Sequence, residues 1–156
     1  MQEKFSKYTL SFVFILSIAS ISIISCSNFF DYEKANLIYK EGIQFNTGKL
    51  DSAVLLAQQE NKNIFVFVHA TWCGVCKKME AKVLPLKSVG DIYNPNFINV
   101  AIDFDSEEGS ALKKQFTIKG TPTFLYLNKD GKLLQQTNGF QKEEAFIASA
   151  KNIIPN

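Results

Sequence analysis

Cys73 and Cys76 stand three residues apart, and no other pair of side chains in this sequence is as well placed for chemistry. They follow a run of pure strand character, Ile64-Phe65-Val66-Phe67-Val68, and precede a helical pattern in which Val75, Met79 and Val83 recur at spacing four. The strand is expected to end, the chain to turn at Gly74, and Cys73 to land at the N-terminus of the helix. Cys76 then lies one turn on, and side chains three apart share a helix face, so the two sulfurs can meet in a disulfide. A helix N-terminus offers unpaired N–H groups and the positive end of the macrodipole, which favour an anion. The thiolate is the nucleophile, and Lys77 and Lys78 add positive charge nearby. The pattern predicts an activated Cys73 and a resolving, more buried Cys76.

Other uses of a cysteine pair fit less well. Two core cysteines would need neither the turn nor the helix start. Structural zinc takes four ligands, whereas this chain has one Cys pair, a distant Cys26 and a single histidine, His69. Covalent haem needs a histidine directly after Cys76, where Lys77 stands. No metal and no cofactor is therefore expected.

Trp72-Cys73-Gly74-Val75-Cys76-Lys77 after an apolar strand resembles the active site of the thioredoxin superfamily, and Ile118-Lys119-Gly120-Thr121-Pro122-Thr123-Phe124 resembles its cis-proline segment. The resemblance covers roughly residues 41–154. The Cys-Lys-x-Met-Glu continuation is most similar to extracytoplasmic thioredoxin-like domains, including those of membrane disulfide reductases. It implies an α/β, thioredoxin-like fold, a mixed central β-sheet flanked by helices. It also implies thiol–disulfide exchange, with Cys73 attacking, Cys76 resolving, and Trp72, Thr121 and a cis Pro122 meeting an extended substrate by strand addition. The implied partners are protein disulfides or dithiols and an upstream thiol donor. The reaction expected is reductive or isomerase-type rather than primary oxidation. The alternative is a metal-binding or non-catalytic thioredoxin-like assembly module.

Three positions depart from the family. Phe67 stands where many thioredoxins carry a buried Asp, six residues before the first cysteine. Glu80, four after Cys76, reads as a solvated helix residue rather than a replacement. His69 stands in place of an aromatic four before Cys73, and with Lys77 it is a candidate for tuning the thiolate. Val75 replaces a common proline.

The elements that must hold this site can be read in order. Residues 43–45 read as a first edge strand, Asn46-Thr47-Gly48 as a turn with Thr47 able to cap, and Leu50, Ala53, Val54 and Ala57 as a helix closed by Asn61. The continuous apolar run 64–68 suits a strand covered on both faces. The active-site helix must stop before Pro85. Asn94-Pro95-Asn96 reads as a turn, 97–102 as a strand ending at Asp103, and Ser106 as the cap of a helix carrying Leu112 and Phe116. Residues 123–127 and 132–136 flank the hairpin turn Asn128-Lys129-Asp130-Gly131, and Asn138-Gly139 leads to a last helix with Phe146, Ala150 and Ile153 on one face. The expected order is β-α-β-α-β-α-β-β-α.

The chain has 156 residues, room for one domain with a sound core, and its 17 basic residues against 15 acids leave it nearly neutral. All the basic residues are lysine, no basic stripe appears, and nucleic acid is not expected as a partner. Lys4 and Lys7, the apolar stretch 10–24 and Ile23-Ile24-Ser25-Cys26 form a secretory leader ending in a lipobox-like sequence. Residues 1–25 are thus expected to be a lipoprotein signal peptide, Cys26 the lipid-bearing residue and 26–40 a tether in which 31–40 could form a short helix. Residues 41–156 would be the thioredoxin-like domain, held by lipid to the periplasmic face of a bacterial membrane.

Overall fold

The computed structural model describes residues 39–46 and 49–154. The expected leader, Cys26, the first part of the tether with most of its short helix, and Thr47 lie outside the described residues.

Among the described residues nine elements follow one another. They are α1 (Leu50–Glu60), β1 (Asn63–His69), α2 (Gly74–Lys82), α3 (Lys87–Asn96), β2 (Phe97–Asp103), α4 (Glu107–Gln115), β3 (Thr123–Leu127), β4 (Leu133–Asn138) and α5 (Glu143–Lys151). The strands form one mixed sheet in the order β2-β1-β3-β4. β1 runs parallel to β2 with Val68 opposite Ile102, and antiparallel to β3 with Val68 opposite Thr123. β4 closes the hairpin, antiparallel to β3.

Alternation along β1 splits the core in two, as the period-two geometry of a strand requires. Phe65 and Phe67 face a cluster with Cys76 and Met79 of α2, Tyr93 of α3 and Phe146 of α5. Ile64, Val66 and Val68 face the other side, against Leu50 and Ala53 of α1 and Leu112 of α4. The first layer is rich in rings. Phe65 lies edge-on to Tyr93 at 4.8 Å, and Tyr93 stacks on Phe146 at 4.8 Å. Two of its buried hydroxyls are paired: those of Tyr93 and Tyr126 lie 2.7 Å apart, and Tyr93 also donates to the Phe146 carbonyl at 2.8 Å.

Local chemistry sets most boundaries as expected. Asn61 ends α1 in the left-handed conformation, Ser106 caps α4 by accepting from the Gly109 N–H at 2.9 Å, and Asn128 Oδ1 accepts from the N–H groups of Asp130 and Lys132 in the hairpin turn. α1 starts differently: Lys49 gives no side-chain cap, and Glu108 from α4 takes the Leu50 N–H at 2.9 Å.

Two expectations need correction. Residues 43–45 are not a sheet strand. The Ile43 N–H donates to the Leu84 carbonyl and the Asn46 N–H to the Asn99 carbonyl, so their bonds go to different elements and no ladder forms. Instead this arm is clamped onto the α2–α3 corner. A side chain on Gly42 would collide with the Leu84 carbonyl oxygen, and one on Gly90 with the Glu41 carbonyl oxygen. The second correction concerns Asn94-Pro95-Asn96, which forms the last turn of α3. Pro95 sits where only one intrahelical donor is forfeited, and the Phe97 N–H still reaches the Tyr93 carbonyl.

Candidate active site

The site lies at the C-terminal ends of β1 and β2. Beyond His69 the chain turns, and the Cys73 N–H donates to the Ala70 carbonyl at 3.0 Å. Cys73 is the N-cap of α2, with extended backbone, and its Sγ accepts from the Cys76 N–H at 3.0 Å. The Lys77 N–H donates to the Cys73 carbonyl, which opens the helical ladder. Cys73 and Cys76 are joined in a disulfide, with Cα atoms 5.2 Å apart. Cys76 is sealed at 0% exposure, and Cys73 keeps a 5% opening. Any sulfur attack from outside therefore falls on Cys73.

The helix start explains why a thiolate there would be held. In the disulfide Cys73 Sγ already accepts from a backbone donor at the positive end of α2, and for a thiolate the same bond would be charge-assisted and stronger than a neutral one.

The Thr121–Pro122 peptide is cis. The sheet register carries it to the cysteines' end of the molecule, because Thr123 pairs with Val68 while Cys73 follows β1 by a short turn. The Pro122 carbonyl accepts from the Gly139 N–H at 2.9 Å, and Thr123 Oγ1 reaches the Gly120 carbonyl and Asn138 Oδ1. Thr121 Oγ1 is buried without a hydrogen-bond partner. Beside it opens a depression of about 530 Å³ lined by Lys119, Gly120, Thr121, Pro122, Asn138 and Gly139.

Trp72 projects at the mouth, 62% exposed, and Val75 beside it is 43% exposed. The indole is fixed. Its N–H donates to Asp105 Oδ2 at 2.6 Å, and its ring meets Phe104 edge-on. Nothing in the local sequence around Trp72 marks Asp105, since the contact crosses from the loop after β1 to the loop after β2.

His69 stacks on Phe67 at 5.1 Å and places Nδ1 3.7 Å from Glu80 Oε1. Glu80 is therefore not a solvated helix residue. It is half-buried and turned toward β1 and the arm, on the face it shares with Cys76. The spacing of four from Cys76 was the available signal. Burial lowers the His69 pKa, against a smaller upward pull from Glu80 and Asp103. Tyr39 in the arm lies on the same side. Burial and then the Glu80 charge raise its pKa, and its hydroxyl is buried without a hydrogen-bond partner. Lys77 lies exposed on the outer side of α2. Cys26 lies outside the described residues. Among the described residues no group of three or more His, Cys, Asp or Glu side chains could hold a metal ion.

Comparison with known proteins gives a consistent picture. The family of the thioredoxin-like domain matches residues 50–154. The thiol:disulfide interchange protein DsbD of Pseudoalteromonas atlantica is 29% identical over 112 residues, 70% of this chain. The chain spans only 19% of that relative's length. A solution structure from Bacteroides thetaiotaomicron, provisionally assigned as a disulphide-isomerase, superposes with TM-score 0.64 at 30% identity, covering 71% of this chain and 92% of that one. The reduced C-terminal domain of Neisseria meningitidis DsbD superposes with TM-score 0.59 at 27% identity, over 66% of this chain and 92% of that one.

Proposed function

This chain belongs to the thioredoxin-like family, and on that footing we propose that it is an extracytoplasmic thiol–disulfide oxidoreductase working through Cys73 and Cys76. The carrying observation is the pair itself: two bonded cysteines at a helix start, only one of them open to the surface. In the reduced protein the Cys73 thiolate attacks a substrate disulfide. A Cys73–substrate bond forms, and one substrate sulfur leaves as a thiolate. Cys76 loses its proton and attacks Cys73 Sγ, which re-forms the internal disulfide and expels the second substrate sulfur. Two electrons pass to the substrate, and an upstream dithiol returns them to the pair. Trp72 presents an apolar contact at the mouth. Thr121, ahead of Pro122, offers backbone groups to an extended segment.

The direction we assign is reductive or isomerase-like, supported by the likeness to DsbD and to the Bacteroides protein. The basic, apolar and Ser-Cys regions at the N-terminus support export and lipid attachment at Cys26, with 1–25 as leader, 26–40 as tether and 41–156 as the working domain.

Cys73→Ser is expected to abolish reduction of a disulfide substrate. Cys76→Ser should accumulate mixed disulfides visible on a non-reducing gel. Full turnover by Cys73→Ser would refute the mechanism. Equilibration with glutathione is expected to give a potential at or below about −180 mV, whereas a value near about −120 mV, that of a strong oxidant, would reverse the assigned direction. Cys26→Ala should move the protein from the membrane to the soluble fraction.

A further inference from the structure

Charge is sorted at the mouth of the site. Lys77, Lys78 and Lys119 are exposed, and among the described residues none of them takes part in an ion pair. Lys78 Nζ lies 4.1 Å over the ring of Phe140. Phe140 follows Gly139, whose N–H is bonded to the Pro122 carbonyl. Gly139 and Lys119 line the same depression beside Thr121 and Pro122. Lys78 and Lys119 thus flank the cis-proline segment from two sides. The carboxylates of this pole keep their charge but belong to other segments: Glu80 faces His69, Asp103 Oδ1 accepts from the Asp105 N–H, and Asp105, in the loop after β2, accepts from the Trp72 indole. The lining of the depression beside Pro122 includes Lys119 and no Asp or Glu, and Lys78 stands over Phe140 next to it, so the edge where a substrate strand would lie is locally cationic.

We propose that this edge selects substrates whose reacting cysteine is flanked by acidic residues. The proposal rests on the exchange function above and names its substrate class. The occupant is an extended peptide segment, since exposed Trp72 and Val75 offer it apolar contact and the depression beside Pro122 offers it a channel. Lysine is a flexible point charge without a planar fork, so the selection acts on charge and encounter rather than on a fixed carboxylate geometry. Steering of this kind raises association rates by about 10- to 1000-fold and weakens with salt.

The test uses the protein reduced with dithiothreitol and three single-cysteine peptides, each as a mixed disulfide with 2-mercaptoethanol. Their flanks carry Glu, Ser or Lys. Second-order rates are followed by the fluorescence of Trp72. At low ionic strength the Glu peptide should react about tenfold faster than the Ser peptide, and the Lys peptide slowest of the three. At about 0.5 M salt the spread should shrink to within about twofold. The double variant Lys78→Glu/Lys119→Glu should invert the order, while Lys132→Glu, in the hairpin at the opposite pole, should leave it unchanged.

Equal rates for the three peptides, an order that survives high salt, or the same inversion from Lys132→Glu would overturn the proposal. So would sedimentation with phosphatidylglycerol vesicles that Lys78→Glu/Lys119→Glu abolishes while the peptide rates stay equal, since the edge would then serve a lipid surface. Bis(2-hydroxyethyl) disulfide, which carries no charge, separates the two levels. Failure to reduce it would sink exchange itself and this selection with it. Reduction of it with no peptide preference would sink the selection alone.

Discussion

His69 is the chain's single histidine, and its setting gives the protein a pH dependence of known sign. Burial holds its folded pKa below 6.5. The unfolded chain therefore takes up a proton first as pH falls, so stability is complete above about pH 6.5 and declines below it. His69→Phe keeps a ring against Phe67 and removes the titrating group. The urea midpoint of the wild type should drop between pH 7.5 and pH 5.5, and that of the variant much less. Equal slopes would place the acid sensitivity elsewhere. The same residue marks a limit of the sequence. Spacing placed Glu80 on the Cys76 face, yet its inward turn depends on His69 and on Tyr39 in the arm. Those partners come from separate segments, and periodicity within one helix carries no record of them. The cysteine pair was legible because its whole geometry is local: strand end, turn and first helical turn.

The elements divide along the same line. α4 is declared by Ser106, whose hydroxyl accepts from Gly109, with Glu107 and Glu108 in the first turn where the dipole favours them. Ser106→Ala should cost about 1 kcal/mol, read as a lower urea midpoint at unchanged slope. No change in midpoint would mean that backbone and water satisfy that N–H unaided. α3 was harder to see. Leu86, Val89, Gly90 and Tyr93 recur at helical spacing, but the Asn-Pro-Asn sequence at its end carries strong turn chemistry. The arm misled in the opposite direction. Its alternating residues suit a strand, and only the position of Leu84 and Asn99 in the folded chain sends its hydrogen bonds to two different elements.

At the scale of the molecule, the sheet separates an aromatic face from an aliphatic one, and the aromatic face carries the redox pair. Tyr39, Tyr93 and Tyr126 have pKa values raised by burial. The unfolded chain loses these phenolic protons first as pH climbs, so stability is whole below about pH 10 and falls above it. Absorbance at 295 nm should show these three phenols ionising only together with loss of the far-ultraviolet helix signal. Smooth ionisation before unfolding would mean that the aromatic layer admits water.

The position of β1 between β2 and β3 has a further consequence, for the order of assembly. Val68 precedes the cysteines, but its neighbours Ile102 and Thr123 come much later in the chain. Such distant pairings slow closure relative to a bundle of local contacts. A newly made chain therefore displays both thiols well before the residues that will hide Cys76 have arrived. During that interval Cys76 has not yet been covered, and its shielding from outside attack emerges only when the later elements pack against it.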